Sequence, residues 1–141
     1  MIENIVTGFT SILTLSNLVL IFLGTFAGII VGALPGLSTT MGIALCVPFT
    51  FGMDPLSGLA LLGGIYNGSV YGGSISAILI RTPGTAASCA TVFDGYPMTE
   101  KGEGVLALNV ALLSSLVGGV FGVLVLMFIA PRLAAFPLSF G

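Results

Sequence analysis

Two short stretches carry the residue types best suited to holding an anion without a cofactor: Leu34-Pro35-Gly36-Leu37-Ser38-Thr39-Thr40 and, 48 residues later, Thr82-Pro83-Gly84-Thr85-Ala86-Ala87-Ser88. Each sets Pro-Gly ahead of hydroxyl residues. Proline removes a backbone donor and disfavours helix in the residue before it, glycine permits a sharp turn, and Ser or Thr caps the helix that follows. Each stretch therefore predicts a helix break and a restart. The first N–H groups of a helix are unpaired and lie at the positive end of its dipole, where a carboxylate is stabilised. Pro35, Gly36, Ser38, Thr39 and Thr40, with Pro83, Gly84, Thr85 and Ser88, are the candidate substrate-binding residues. Arg81 precedes the second stretch, and its planar fork of N–H donors matches a carboxylate in bidentate fashion. Asp94 and Asp54 are its candidate charge partners within the chain; the alternative is that Arg81 lies near an interface and snorkels out.

The surroundings of these residues are lipid-soluble. Of 141 residues, 56% are hydrophobic and 6% charged, with 21 glycines and no histidine, whereas a soluble domain carries about 25% charged residues. That is a membrane composition. No basic patch exists for nucleic acid, and the net charge of −2 rests on too few groups to select a partner. Cys46 and Cys89 lack CxxC spacing and read as small buried hydrophobes. Without histidine there is no Ser/His/Asp triad, Cys/His pair or zinc motif, and RTPGT lacks the Lys-Ser/Thr ending of a phosphate loop. The chain does not read as an enzyme, and no cofactor is expected.

The elements that must position the two stretches follow from hydrophobic patterning. Ile2, Ile5, Val6, Phe9, Ile12 and Leu13 recur at helical spacing, so residues 1–15 predict an amphipathic helix lying along the interface. The absence of a basic start argues against a signal peptide. Leu18 to Leu34 is a transmembrane span of 17 residues, about 25 Å as a helix and near the minimum for a hydrocarbon core about 30 Å thick. Val105 to Ala130 runs 26 residues without a charge, about 39 Å, and predicts a second span ended by Pro131 and Arg132. Between them, residues 37–51 are too short to cross and predict a half-helix or re-entrant arm. Residues 55–80 predict a helix broken near Tyr66 to Gly73, residues 81–93 a Pro-Gly break and half-helix, and residues 94–104, DGYPMTEKGEG, a polar loop.

Glycines recur at four-residue intervals in three places: Gly24, Gly28 and Gly32; Gly64, Gly68 and Gly72, continued by Ser76; and Ser114, Gly118 and Gly122. Such stripes let helix backbones approach closely, and three of them predict a packed bundle. The fold class expected is an all-α integral membrane protein with Gly-rich packed transmembrane helices and broken or re-entrant half-helices.

Five phrases in order, Gly28-x-x-x-Gly32-x-Leu34-Pro35-Gly36-Leu37, Pro48-Phe49-Thr50-Phe51-x-Met53-x-Pro55, Gly64-Ile65-Tyr66-x-Gly68-x-x-Tyr71-Gly72-Gly73-Ser74-Ile75, Pro83-Gly84-Thr85 and Asp94-Gly95-Tyr96-Pro97-Met98, resemble the large membrane subunit of tripartite tricarboxylate transporters, the TctA family. The resemblance covers nearly the whole chain but only the opening portion of a family member, which is roughly three times longer and holds a second, related half. It implies one partial repeat of a secondary carrier in the bacterial inner membrane that imports tricarboxylates or other organic carboxylates. The implied partners are a small membrane subunit, a periplasmic substrate-binding protein and the second half of the transporter, with drive from an ion gradient, H+ or Na+ left open. Arg81 stands where a neutral residue, often Asn, is expected. A site between two repeats needs both, so the alternative function is a truncated or split membrane fragment with a structural role.

Overall fold

The computed structural model describes residues 2–138, and every regular element among them is helical. The chain is an all-α membrane protein. In order it forms α1 (Ile2–Ile12), α2 (Leu15–Ala33), α3 (Thr39–Thr50), α4 (Pro55–Ile80), a 3-10 turn (Ala86–Cys89), α5 (Thr91–Glu100) and α6 (Gly104–Leu138). Two of these, α2 and α6 through Ile129, are long and apolar enough to cross a membrane.

The chain divides into two compact units, Met1–Leu108 and Asn109–Gly141. The centre of the first is the α2–α4 pair, where two of the three glycine stripes meet face to face. A methyl group on Gly24 would lie 2.5 Å from the Leu61 carbonyl oxygen, and one on Gly64 2.7 Å from that of Ile21. Gly28 faces the Ile65 carbonyl, Gly32 that of Ser69, Gly68 that of Thr25 and Gly72 that of Ile29. Rising numbers on α2 meet rising numbers on α4, so the two helices run parallel. Backbone lies on backbone with no side chain between, the geometry that only glycine allows.

This contact explains why α4 is one unbroken helix of 26 residues, where the sequence predicts a break near Tyr66 to Gly73. Glycine costs about 1 kcal/mol relative to alanine in a helix, but along α4 it is what lets α2 dock. Pro55, the one proline of the helix, sits in its first turn, where its missing N–H removes no bond. Asp54 caps that turn, accepting the Ser57 N–H at 3.1 Å. Hydrogen bonding from Ser57, through its side chain and its backbone N–H, holds the Asp54 carboxyl below the ordinary carboxylate value. The Ser57 hydroxyl also donates to Asn17 Oδ1 at 2.7 Å, which leaves the N–H as the steadier donor to Asp54. Asn17, buried at the start of α2, donates in turn to the Ser11 carbonyl at 3.0 Å and ties α1, α2 and α4 together at this end.

The other elements are short. α3 is 12 residues, about 18 Å, and runs back along the pair: Gly42 faces Val31 and Ile65, while Thr50 lies against Gly58. Residues 94–104, expected as a loop, are mostly helix. α5 holds Asp94 to Glu100 despite Gly95 and Pro97, because it docks on the last turns of α4. Gly95 rests on Ile78, and the Thr99 hydroxyl donates to the Ile78 carbonyl at 2.8 Å. That carbonyl is one of the four that a helix end leaves without an internal partner.

α1 ends at Ile12 and exposes Val6 and Phe9, with Leu13 exposed just beyond it; the side chains of Ile2, Glu3 and Ile5 lie outside the described residues. The second unit is the remainder of α6. The helix continues past Pro131 to Leu138 instead of ending there, as membrane helices often accommodate proline; the side chains of Pro131 and Arg132 lie outside the described residues. Its Leu, Val and Phe residues from Leu112 to Ile129 are exposed, and the third stripe finds no partner: Gly118 and Gly122 face open space among the described residues.

Candidate functional site

The parallel pairing decides where the two Pro-Gly stretches lie. α2 ends at Ala33, beside Gly72, while α4 runs on for eight residues to Ile80, an overhang of about 12 Å. Arg81 caps α4 in the left-handed region (φ 59°, ψ 17°), and the chain then turns back. Gly84 donates its N–H to the Gly73 carbonyl at 3.3 Å and lies against the Gly32 carbonyl, with no room for a methyl group. Gly73 meets Thr85, and Ser76 Oγ would lie 2.8 Å from a methyl group on Gly84. The second Pro-Gly stretch is thereby stitched to α2 just before the first one begins.

The candidate residues divide into an exposed set and a buried set. In the first stretch Gly36 takes φ 97°, which favours glycine, and faces open space. Ser38 caps α3 by accepting the Met41 N–H at 3.2 Å. Pro35, Gly36, Ser38 and Thr40 are exposed and Thr39 half-buried. This helix start is open. In the second stretch Gly84, Thr85 and Ser88 are buried and Pro83 half-buried. Thr85 N–H donates to Ser88 Oγ at 3.2 Å, and Ser88 Oγ donates to the Thr85 carbonyl at 2.8 Å. The Thr85 and Ser88 hydroxyls also lie 3.4 Å apart. This reciprocal box turns both hydroxyls inward on each other and fixes the loop.

Arg81 is exposed, with its guanidinium carbon 5.6 Å from the centroid of the Tyr96 ring. Neither Asp94 nor Asp54 pairs with it among the described residues: Asp94 is exposed on α5, and Asp54 caps α4 at the far end of that helix. The partner that sequence reasoning missed is aromatic. The signal was there in the phrase Gly95-Tyr96-Pro97-Met98-Thr99, whose glycine and threonine dock α5 and whose tyrosine reaches Arg81. Gly73 and Ser76, which hold the second stretch in place, were not among the candidate residues. The Gly72-Gly73 pair was the clue, one glycine for α2 and the next for the returning loop.

Set against known proteins, residues 18–141 match the model of the tripartite tricarboxylate transporter TctA family. The chain belongs to the TctA family. It is similar to an uncharacterized 52.8 kDa protein in the TAR-I ttuC' 3'region of Agrobacterium vitis, with 44% identity over 141 residues. The match takes in 100% of this chain and 28% of that protein, so the TctA-family chain spans about a quarter of its relative's length. No solved structure matches it. The family phrases now have positions in the fold: the glycine phrases build the α2–α4 contact, Pro83-Gly84-Thr85 is the returning loop, and Asp94 to Met98 lies within α5.

Proposed function

We propose that this chain is a segment of the membrane subunit of a secondary transporter that imports tricarboxylates or other organic carboxylates, and that the two Pro-Gly stretches belong to its substrate site. The observation that carries the reading is the junction of Gly32, Gly73 and Gly84, which packs the second stretch on the last turn of α2, two residues before the first stretch begins. Broken helices whose starts face a carboxylate recur in secondary transporters.

In this reading the open start of α3, with Pro35, Gly36, Ser38, Thr39 and Thr40, presents backbone N–H groups and hydroxyls to the substrate. Arg81 adds a bidentate contact. Pro83, Gly84, Thr85 and Ser88 form the fixed wall against which that start is held. The partners are a periplasmic binding protein that delivers substrate, a small membrane subunit, and the remainder of the carrier in the bacterial inner membrane. An ion gradient, H+ or Na+, supplies the drive, with no cofactor. The alternative reading is a membrane fragment with an assembly role only.

Citrate uptake decides between them. Residues 1–141 replace the matching segment of the Agrobacterium vitis relative, and the chimaera is reconstituted with its binding protein. Uptake is expected, falling at least several-fold in Ser38→Ala and in Arg81→Lys at unchanged membrane abundance. Wild-type uptake in both variants overturns the site, and absence of uptake by a correctly inserted chimaera supports the assembly role.

A further inference from the structure

We propose that Tyr96 is the positioning residue of an oxyanion fork at Arg81. The position itself is the first observation. Arg81 closes α4 with φ 59°, where glycine is the favoured residue because any side chain is strained. At that turn the chain carries a charged side chain where glycine would be unstrained. The second observation is the ring: the guanidinium carbon stands 5.6 Å from the Tyr96 centroid, within cation–π range. A cation–π contact uses the charge of the guanidinium and not its N–H donors one for one, so donors remain for an oxyanion. Those donors make no hydrogen bond or ion pair among the described residues, although Asp94 stands two residues from Tyr96 on the same helix.

The third observation is rigidity. Tyr96 rides on α5, which is fixed to α4 by the Thr99 hydroxyl on the Ile78 carbonyl and by the bare backbone of Gly95 against Ile78. Ile78 is three residues before Arg81 on the same helix. Ring and arginine are thus anchored to one turn of α4, and the fork is held before any ligand arrives. Its ligand is a planar or tetrahedral oxyanion: the carboxylate of a transported acid or the phosphate of a lipid headgroup. The carboxylate case rests on the function proposed above; the role of Tyr96 does not.

The test is phenylglyoxal modification of the chain in vesicles, read by mass spectrometry. Arg81 and Arg132 are its only arginines, so Arg132 serves as internal reference. One arm adds citrate in phosphatidylcholine vesicles; the other uses phosphatidylglycerol vesicles without citrate. At least one anion is expected to slow labelling of Arg81 several-fold in the wild type and in Tyr96→Phe, which keeps the ring, but not in Tyr96→Leu. Protection by phosphatidylglycerol alone supports the fork and assigns it to lipid, which removes Arg81 from the substrate site. Protection by neither anion, or equal protection in wild type and Tyr96→Leu, overturns the proposal. Should Tyr96→Leu not fold, tyrosine emission decides. The chain has no tryptophan and three tyrosines, so in Tyr66→Phe/Tyr71→Phe the signal is that of Tyr96 alone. A change in that emission on adding either anion supports the fork, and its constancy overturns it.

Discussion

The stretches at 34–40 and 82–88 share a Pro-Gly dipeptide at their second and third positions and are built in opposite ways. After Pro35-Gly36 the chain stays open: Gly36 needs its positive φ but no space, Ser38 caps a helix in view of solvent, and Thr40 is exposed. After Pro83-Gly84 everything closes: Gly84 needs space but no unusual φ, and Thr85 and Ser88 lock each other beneath the surface. One Pro-Gly supplies a conformation and the other a close approach. The difference separates an open helix start from a closed structural turn within a single sequence motif.

The largest expected effect strikes the surface that brings the two stretches together. Gly28→Leu forces a side chain into the Ile65 carbonyl and should abolish α2–α4 pairing, whereas Ile29→Leu should change melting in detergent little. Gly118→Leu, on the stripe that faces open space, should also be tolerated by this chain. Equal melting of all three variants would show that α2 and α4 are not packed backbone on backbone.

A smaller loss distinguishes the two turns directly. Gly84→Ala drives a methyl group into the Gly32 carbonyl and should cost about 3 kcal/mol or more. Gly36→Ala meets nothing and carries only the strain of its φ, about 1–2 kcal/mol. Denaturation in mixed micelles measures both, and the reverse order would refute the contrast. Next come the hydroxyls. Ser38→Ala removes a cap worth about 1 kcal/mol and should lower carboxylate affinity as well. Thr85→Val should destabilise by about 1–2 kcal/mol while leaving the affinity of the folded fraction intact.

The smallest effect concerns the start of α4. Asp54 titrates below the ordinary carboxylate range in the folded chain because its ionised form accepts from Ser57. A depressed folded value means that its stabilisation is complete above the unfolded carboxylate value and is lost as pH falls through the folded one. Stability should therefore decline on acidification below pH ~4, and Asp54→Asn, which keeps a capping side chain, should flatten that decline. An unchanged acid profile in Asp54→Asn would exclude this carboxylate as its source.

What could be read from the sequence is what repeats. Gly24, Gly28 and Gly32 announce a close helix contact by period alone, and so do Gly64, Gly68 and Gly72; that they face each other was not legible, since a stripe does not name its partner. Of the same periodicity at Ser114, Gly118 and Gly122, a methyl group at either glycine would meet nothing among the described residues. Local propensity misled in two places. Glycines that read as a break within 55–80 are the docking surface of a continuous helix, and the polar segment from Asp94 to Glu100 is helical because Thr99 and Gly95 bind the end of α4. Both are cases in which tertiary contact overrides propensity. The Pro-Gly restarts were legible as turns with caps. Which hydroxyls turn inward depends on the returning loop, and Arg81 meeting a ring instead of a carboxylate depends on where α5 docks.

The central claim is that one ligand lies between the open start of α3 and Arg81, with the second stretch packed on α2 through Gly32 and Gly84. Hydrogen exchange in the reconstituted chimaera, with and without citrate, tests it most directly. Citrate should slow amide exchange in residues 36–41 and near 81–85 together, and Gly84→Ala should abolish both effects at once. Protection at one stretch alone, or only at residues distant from both, would contradict it.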